Sequence, residues 1–202
     1  DFEADIDVAG SVAQQLARAI AERSARAHAI LVSDYLKGTI TAEIMAAVTT
    51  SAGAQNVPVL VDPKIPHLDL YRGVTLVTPN QLEAETATHA RVRTDDEARE
   101  AARRLRDRLQ CASVVITRGE QGMWVLDGTS TPPVEANFAS TAIEVADVTG
   151  AGDTVIGTLA LATAAQASLV EAAQIATVAA GIAVSHFGAV AVTQAELRDA
   201  FA

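Results

Sequence analysis

The chain has 202 residues, of which 50% are hydrophobic and only 3% aromatic, so Ala, Val, Leu and Ile must build its core. A chain of this length and composition buries enough apolar surface for one globular domain, which excludes disorder as its general state. Its formal net charge of −10 repels phosphate backbones and anionic lipids, and this argues against nucleic acid and membrane partners.

The same charge constrains how the chain could bind an anionic substrate. The anion would have to be neutralised locally by backbone N–H groups, a few placed cations or a metal ion. The single cysteine, Cys111, allows no intramolecular disulfide, and the N-terminus shows no export signal, so we expect a cytoplasmic protein. The most apolar run, 172–184, is too short for a membrane span and predicts a buried helix.

The first part of the chain alternates predicted helices and strands. Apolar spacing predicts, in order, a helix over 11–28, a strand over 29–33, a helix over 41–51, a strand over 57–61, a strand over 74–78, a helix from Asn80, a helix over 94–109 and a strand over 113–117. Such alternation implies a parallel sheet with helices packed on it. Ligands of these sheets bind at the carboxyl ends of the strands. The candidates by position are Asp34, Asp62, Asn80 and Thr117.

The second part changes character. The pattern predicts short antiparallel strands at 123–126, 133–136 and 143–145, followed by helices at about 151–166, 168–185 and 193–201. Because no internal repeat or linker interrupts the chain, we expect a single domain over residues 1–202.

The segment 147–157, DVTGAGDTVIG, places two glycines and an Asp at the predicted start of an apolar helix. Gly150 and Gly152 allow successive N–H groups to point outward at the helix N-terminus and bind an oxyanion such as a transferred phosphoryl group. Asp153 would lie beside that anion, where it could accept a proton from an attacking hydroxyl.

The same residues are also compatible with two simpler roles. Asp153 could be an N-cap and the glycines a tight turn, which is the more common case for an isolated G-A-G-D. A dinucleotide-binding turn, G-x-G-x-x-G, fits poorly because Val155 stands where its third glycine is needed.

Asn80 and Glu83 lie three residues apart, directly after a predicted strand. This spacing is typical of a capping box, which is the more common case. Alternatively, both side chains face the strand ends and hold Mg²⁺ through its retained waters, close to nucleotide phosphates.

Two further strand ends carry candidate residues. Thr117 opens TRGEQG, a glycine-bracketed turn that is either a plain hairpin connection or a phosphate loop. Lys64, in DPK, is either a solvated lysine or a cation for a phosphate group.

Five segments in a fixed order resemble those of the ribokinase-type (PfkB) sugar kinases: VSDYLKG (32–38), VDPK (61–64), TPNQLEAE (78–85), TRGEQGM (117–123) and DVTGAGDTVIG (147–157). They are most similar to the D-glycero-β-D-manno-heptose-7-phosphate kinases that form one half of bifunctional heptose kinase/ADP-heptose synthases. The resemblance covers nearly the whole chain. It implies a ribokinase-like (Rossmann-like), three-layer α/β/α fold with a mostly parallel central sheet.

The resemblance also implies an activity and its residues. The reaction is ATP-dependent phosphorylation of the anomeric (C1) hydroxyl of the heptose 7-phosphate to the 1,7-bisphosphate, for ADP-heptose and lipopolysaccharide core synthesis. Such catalysis is mostly positioning and electrostatics with one base. The implied residues are Asp153 as base; Gly150, Ala151 and Gly152 as anion hole; Asn80, Gln81, Leu82, Glu83, Thr117, Gly119, Gly122 and Thr177 for ATP; Asn80 and Glu83 for water-held Mg²⁺; Asp147, Thr149, Ala183 and Gly188 for a monovalent cation such as K⁺; and Asp34 and Lys64 for the sugar phosphate.

Family members begin with a further stretch of roughly a hundred residues. It carries the first sheet strands, a glycine-rich sugar-binding segment and a β lid that often forms a homodimer. The chain shows none of these segments, so we expect the C-terminal portion of a ribokinase-like kinase domain, with the N-terminal strands and lid missing. The alternatives to a heptose kinase are another PfkB sugar kinase, a non-catalytic nucleotide-binding fragment without the sugar site, and a dinucleotide-dependent oxidoreductase.

Overall fold

The fold is described from a computed structural model, in residues 6–142 and 145–202. Helices and strands alternate along most of this part of the chain. Their bounds are α1 Gly10–Ser24, β1 Ile30–Ser33, α2 Ala42–Gln55, β2 Val59–Asp62, a 3-10 helix Ile65–Tyr71, β3 Leu76–Val77, α3 Gln81–Thr88, α4 Asp95–Leu109, β4 Ser113–Thr117, a 3-10 turn Gly119–Gln121, β5 Met123–Asp127, β6 Val134–Phe138, α5 Ala151–Ala164, α6 Leu169–Val184 and α7 Gln194–Ala200.

The strands of the described residues form one six-stranded sheet whose spatial order follows the chain from β1 to β6. β1 to β4 run parallel, and β5 and β6 add two antiparallel strands. In register, Ser33 pairs with Asp62 and Val77 with Val114. The carboxyl ends of the four parallel strands therefore meet at one edge of the sheet, and the predicted mostly parallel sheet is confirmed.

Helices cover both faces of the sheet. Adjacent strand residues such as Leu60 and Val61 point to opposite faces, and both are fully buried. Val61 belongs to a core with side chains of α2, α3 and α4, including Leu105, whereas Leu60 packs with Ile156 of α5. Because both faces are buried, the parallel strands are continuously apolar. The predicted three-layer α/β/α architecture is confirmed.

The apolar run 172–184 lies within α6, as predicted. Ala172, Ala173 and Ala176 are fully buried against α5 and the sheet, and their small side chains let the two helices approach closely. None of the described helices combines the length and the apolar character needed to cross a bilayer.

Most predicted boundaries agree with the structure to within a few residues, and three differences are informative. α1 ends at Ser24 and not at residue 28. β3 contains only two residues, although Thr75 and Thr78 still donate backbone hydrogen bonds to β2. The 3-10 helix after β2, with proline in its first turn, was not predicted because it has too few residues to show a period. The strand predicted over 143–145 falls mostly on residues 143 and 144, which lie outside the described residues.

The N-terminus of α5 is capped differently from those of the neighbouring helices. Reciprocal capping boxes begin α3, α4, α6 and α7, at Asn80, Thr94, Ser168 and Thr193. α5 instead begins after Gly150, which has a left-handed backbone with φ +79°, and no side chain of the described residues caps it. N-terminal amides of α5 that no side chain caps can therefore bind a ligand.

Candidate functional site

Two cavities lie along the carboxyl edge of the sheet. The first, of about 190 Å³, is bordered by the end of β2, the start of α3 and the N-terminus of α5. The second, of about 580 Å³, lies between the turn after β4 and helices α5 and α6. Both are lined by Thr117, Gly152 and Val155. The cavities are therefore adjacent at the N-terminal turn of α5.

The predicted anion hole lies at this junction. Gly150 and Gly152 line the first cavity, and a Cβ added to Gly152 would meet no atom within 4 Å. The Ala151 N–H differs, because it donates to the carbonyl oxygen of Val148 at 3.2 Å. In this structure an oxyanion would therefore contact the amides of its neighbours and not that of Ala151.

Asp153, the third residue of α5, lines the first cavity and accepts a hydrogen bond from a tyrosine. The hydroxyl of Tyr35 lies 2.7 Å from Oδ1 and 2.9 Å from Oδ2 of Asp153. This contact raises the pKa of the Tyr35 phenol, because its hydrogen bond to the Asp153 carboxylate favours the protonated form. Although Tyr35 lies in the VSDYLKG segment, the sequence did not single it out.

Asp34 is buried beneath the loop that carries Tyr35, with a relative exposure of 1%. Its carboxylate accepts hydrogen bonds from the Tyr71 hydroxyl at 2.5 Å, His67 Nδ1 at 2.7 Å and the Leu36 N–H at 2.7 Å. Burial by itself would raise the pKa of Asp34, but these hydrogen bonds outweigh it and hold the pKa below its usual value. With its oxygens engaged inside the protein, Asp34 supports the loop and does not reach a ligand directly.

The capping box predicted at Asn80 is present. The Asn80 N–H donates to Glu83 Oε2 and the Glu83 N–H donates to Asn80 Oδ1, both at 2.9 Å. The second carboxylate oxygen of Glu83 accepts from Lys64 Nζ at 2.7 Å. Burial lowers the pKa of Lys64, but the hydrogen bond from Lys64 to Glu83 and the charge of that carboxylate raise it overall.

Lys64 lines the first cavity together with Asn80, and its ion-paired side chain is only 30% exposed. The alternative of a freely solvated lysine is therefore wrong. Gln81, Leu82 and Glu83, which were also predicted to bind ATP, border neither cavity. The side chain of Leu82 points into solvent because it lies on the outer side of α3.

Asp62, at the end of β2, is a further acidic residue of the first cavity. Burial raises its pKa to about 6, and the charges of Glu83, Asp153 and Asp34 add to this effect while Lys64 opposes it. The sequence placed Asp62 at a strand end but showed no sign of its burial.

We expect Asp62→Asn to stabilise the protein at pH 8 by about 1–2 kcal/mol, allowing for partial exposure of the carboxylate. The folded protein keeps the Asp62 proton up to about pH 6, whereas the unfolded chain releases it near pH 3.8. The carboxyl therefore opposes folding increasingly as the pH rises from about 3.8 to about 6, and the difference should be much smaller near pH 4, where the folded state is protonated and the unfolded chain is only about half ionised.

Urea denaturation of both proteins at pH 4 and pH 8 measures this difference. Asp199→Asn removes an exposed carboxylate on α7 and is the matched control. An equal effect of Asp62→Asn at both pH values would contradict the prediction.

The second cavity contains the predicted nucleotide residues Thr117, Gly119, Gly122 and Thr177. Gly119 and Gly122 have positive φ angles of 56° and 79°, which let the turn after β4 reverse tightly. The Thr177 hydroxyl donates to the carbonyl oxygen of Ala173, so it presents mainly its methyl group. A cavity of this volume with largely apolar walls suits a small organic ligand.

The buried side chain of Arg118 holds the turn after β4 in place. Its side chain is 1% exposed, and Nη2 donates to Asp95 Oδ1 at 2.7 Å and to Asn137 Oδ1 at 2.9 Å. These contacts attach the turn to the start of α4 and to β6. The sequence did not reveal this anchor, because the three residues lie far apart along the chain.

The residues predicted to bind a monovalent cation are adjacent in space. Asp147 Oδ1 accepts from the N–H and hydroxyl of Thr149 at 2.9 and 2.7 Å, and Oδ2 accepts from the Gly188 N–H at 3.0 Å. The Asp147 N–H donates to Val184, next to Ala183. The hydrogen bonds from Thr149 and Gly188 lower the pKa of Asp147. The carboxylate is therefore ionised at neutral pH.

Comparison with known sequences identifies relatives. The sequence model of the family described as pfkB family carbohydrate kinase matches residues 8–196. The bifunctional protein HldE of Trichlorobacter lovleyi is 40% identical over 197 residues, which make up 98% of this chain and 40% of that protein. The bifunctional protein HldE of Geobacter sulfurreducens is 42% identical over 173 residues, 85% of this chain and 34% of that protein. The chain therefore spans less than half the length of these relatives.

Solved structures share the fold. Phosphofructokinase-2 from Escherichia coli, in complex with potassium, superposes with a TM-score of 0.81 at 22% identity, covering 96% of this chain and 62% of that chain. Ribokinase from Arabidopsis thaliana, complexed with ribose and ATP, gives a TM-score of 0.75 at 21% identity, covering 89% of this chain and 57% of that chain. These likenesses establish the ribokinase-like α/β fold that the sequence predicted.

Proposed function

The chain belongs to the pfkB family of carbohydrate kinases, and on that premise we propose that it transfers the γ-phosphoryl group of ATP to the anomeric hydroxyl of D-glycero-β-D-manno-heptose 7-phosphate. The observation that carries this proposal is the uncapped N-terminus of α5, with Asp153 in its first turn, at the junction of two cavities. The product would be the 1,7-bisphosphate, for ADP-heptose and lipopolysaccharide core synthesis.

In the proposed reaction, Asp153 accepts the proton of the C1 hydroxyl while that oxygen attacks the γ-phosphorus and ADP leaves. The amides around Gly150 and Gly152 stabilise the charge on the transferred group. Most of the catalytic effect comes from holding the two substrates in line, with the sugar in the first cavity and the nucleotide in the second.

We assign ATP to the second cavity, with Thr117, Gly119 and Gly122 beside its phosphates and Thr177 beside its base. Asn80 and Glu83 supply the oxygen donors that Mg²⁺ prefers. Their oxygens already make hydrogen bonds, and the described residues contain no group of three or more acidic, His or Cys side chains suited to direct ligation. They therefore fit a Mg²⁺ ion held through water, which would neutralise phosphate charge when bound.

We propose a second ion site for K⁺ at Asp147, Thr149, Ala183 and Gly188. The proposal is supported by the ionised Asp147 carboxylate, which accepts from the Gly188 N–H, and by the contact of the Asp147 N–H with the carbonyl oxygen of Val184, next to Ala183. Phosphofructokinase-2 from Escherichia coli, which shares the fold, was solved in complex with potassium.

On the sugar side, Lys64 is the cation of the first cavity that we assign to a substrate phosphate. Asp34 would act indirectly, by holding the loop over that cavity. The choice of a heptose is supported by the motif resemblance and by about 40% identity to proteins named HldE. We further propose a cytoplasmic enzyme that uses sugar phosphate and ATP, is a homodimer in its full length, and binds neither nucleic acid nor membranes.

Calorimetric titration with Mg·ATP, with and without heptose 7-phosphate, tests the proposal, combined with an assay of ADP release. We expect Mg·ATP to bind and the sugar phosphate to stimulate ADP release. Binding of Mg·ATP without any turnover would favour the alternative of a non-catalytic nucleotide-binding module. Turnover with a different sugar phosphate alone would indicate another sugar kinase of the family, and binding of NAD in place of ATP would contradict the proposal.

A further inference from the structure

The hydroxyl of Tyr35 occupies the place that a substrate hydroxyl would need. It lies within 2.7 and 2.9 Å of the two oxygens of Asp153, inside the range over which a general base takes a proton from an alcohol. Tyr35 and Asp153 are 118 positions apart and line the same cavity. The phenol therefore presents to Asp153 the same chemical group, an O–H donor, as the acceptor sugar.

In this arrangement the Asp153 carboxylate is already hydrogen-bonded to a group that lines the cavity. The phenol lies within hydrogen-bond distance of both carboxylate oxygens, so it competes with an incoming hydroxyl for them. The backbone around Tyr35 is firmly held, because the Leu36 N–H donates to the buried Asp34. The Tyr35 side chain itself is 59% exposed. It can therefore rotate away while the loop stays in place.

Water is the competing acceptor for a phosphoryl group in this cavity. The volume of about 190 Å³ would hold about six water molecules at roughly 30 Å³ each, so the size of the cavity does not exclude water. In hydrolysis, a water oxygen would form the new bond to the γ-phosphorus, the bond to ADP would break, and the released proton would go to Asp153. With the phenol hydrogen-bonded to both oxygens, Asp153 is a weaker acceptor for that proton.

We propose that Tyr35 is a specificity-determining residue that withholds Asp153 from water and yields it to the sugar hydroxyl. The inference rests on the proposed function, because it takes Asp153 to be the base. A sugar phosphate brings several polar groups and a charge to the cavity, and these contacts offset the loss of the Tyr35–Asp153 hydrogen bond. A water molecule brings only its own hydrogen bonds and does not displace the phenol.

The test is ADP release from Mg·ATP in the absence of sugar, measured for wild type and Tyr35→Phe. Because a hydrogen bond to a charged group is lost, we expect the sugar-free rate to rise at least about tenfold, and the KM for heptose 7-phosphate to fall. Thr49→Val is the matched control: it removes a hydroxyl of α2 that donates to backbone carbonyl oxygens of its own helix, and it should not raise sugar-free ADP release.

Two comparisons separate this inference from the proposed function. In the double variant Tyr35→Phe/Asp153→Asn the added ADP release should disappear, and its persistence would overturn the inference. Sugar phosphorylation that survives Asp153→Asn alone would overturn the proposed base, whatever Tyr35→Phe does. A sugar-free rate of Tyr35→Phe that is unchanged or lower than wild type would overturn the inference while leaving the kinase activity intact.

A second measurement needs no turnover. Ultraviolet titration follows the phenols of wild type, and the Tyr35→Phe spectrum identifies the signal of Tyr35. The pKa of Tyr35 is raised by its hydrogen bond to Asp153, so we expect heptose 7-phosphate with a non-hydrolysable ATP analogue to return this pKa toward its ordinary value. An unchanged pKa in the complex would mean that the phenol is not displaced and would overturn the inference.

Discussion

Asp153→Asn is expected to lower the rate of phosphoryl transfer about 10²- to 10⁴-fold, because the amide cannot accept the proton of the attacking hydroxyl. The amide has nearly the same size and can still accept a hydrogen bond from Tyr35. The N-terminal amides of α5 and the second cavity are unaffected by the change, so binding of Mg·ATP should persist. Steady-state kinetics with heptose 7-phosphate and calorimetry with Mg·ATP measure the two effects separately.

Asp199→Asn is the control for this prediction, since it removes one negative charge from the exposed surface of α7. Its rate should remain close to that of wild type. A near-normal rate for Asp153→Asn would show that the carboxylate is not the base. A loss of both transfer and ATP binding would instead indicate that the substitution disrupts the start of α5.

Gly122→Ala should destabilise the protein by roughly 2–5 kcal/mol, the sum of a backbone clash and an unfavourable φ angle. A Cβ at this position would lie 1.8 Å from the carbonyl oxygen of Phe138, and the backbone has φ +79°. Relief of the clash must shift the turn after β4, which borders the second cavity. We therefore also expect ATP to bind at least about tenfold more weakly, by loss of about one charge-assisted contact.

Urea denaturation and ATP calorimetry test this prediction, with Gly53→Ala as the control. Gly53 lies in the last turn of α2, and a Cβ there would meet no atom within 4 Å. That change should stabilise the protein by about 0.5–1 kcal/mol, because alanine loses less freedom than glycine in a helix. Equal effects of the two substitutions would show that the tight turn at Gly122 is not required.

Local patterns were sufficient where the structure depends on neighbouring residues. The capping box at Asn80 and the glycine turn before α5 were predicted from three to five consecutive letters. The contact of Lys64 with Glu83 was not predicted. It joins the end of β2 to the start of α3, and it forms because β2 lies beside β3, the strand that precedes α3.

The position of a carboxylate along the chain does not predict its environment in the folded protein. Asp34, Asp62 and Asp153 were all marked by strand ends or a helix start. Only packing decides that Asp34 is buried among hydrogen-bond donors, that Asp62 has a pKa of about 6, and that Asp153 meets Tyr35. Burial and opposite charges change the behaviour of identical side chains.

The amino-acid sequence alone determined the alternation of strands and helices and the positions of the glycine turns. Its motifs also identified the kinase family. All of these depend on the spacing of residues that are close along the chain. The tertiary structure decided which strand ends lie side by side, where the two cavities adjoin, and which acidic groups are exposed to a ligand. These depend on sheet order, register and burial, which bring together residues as distant as Tyr35 and Asp153.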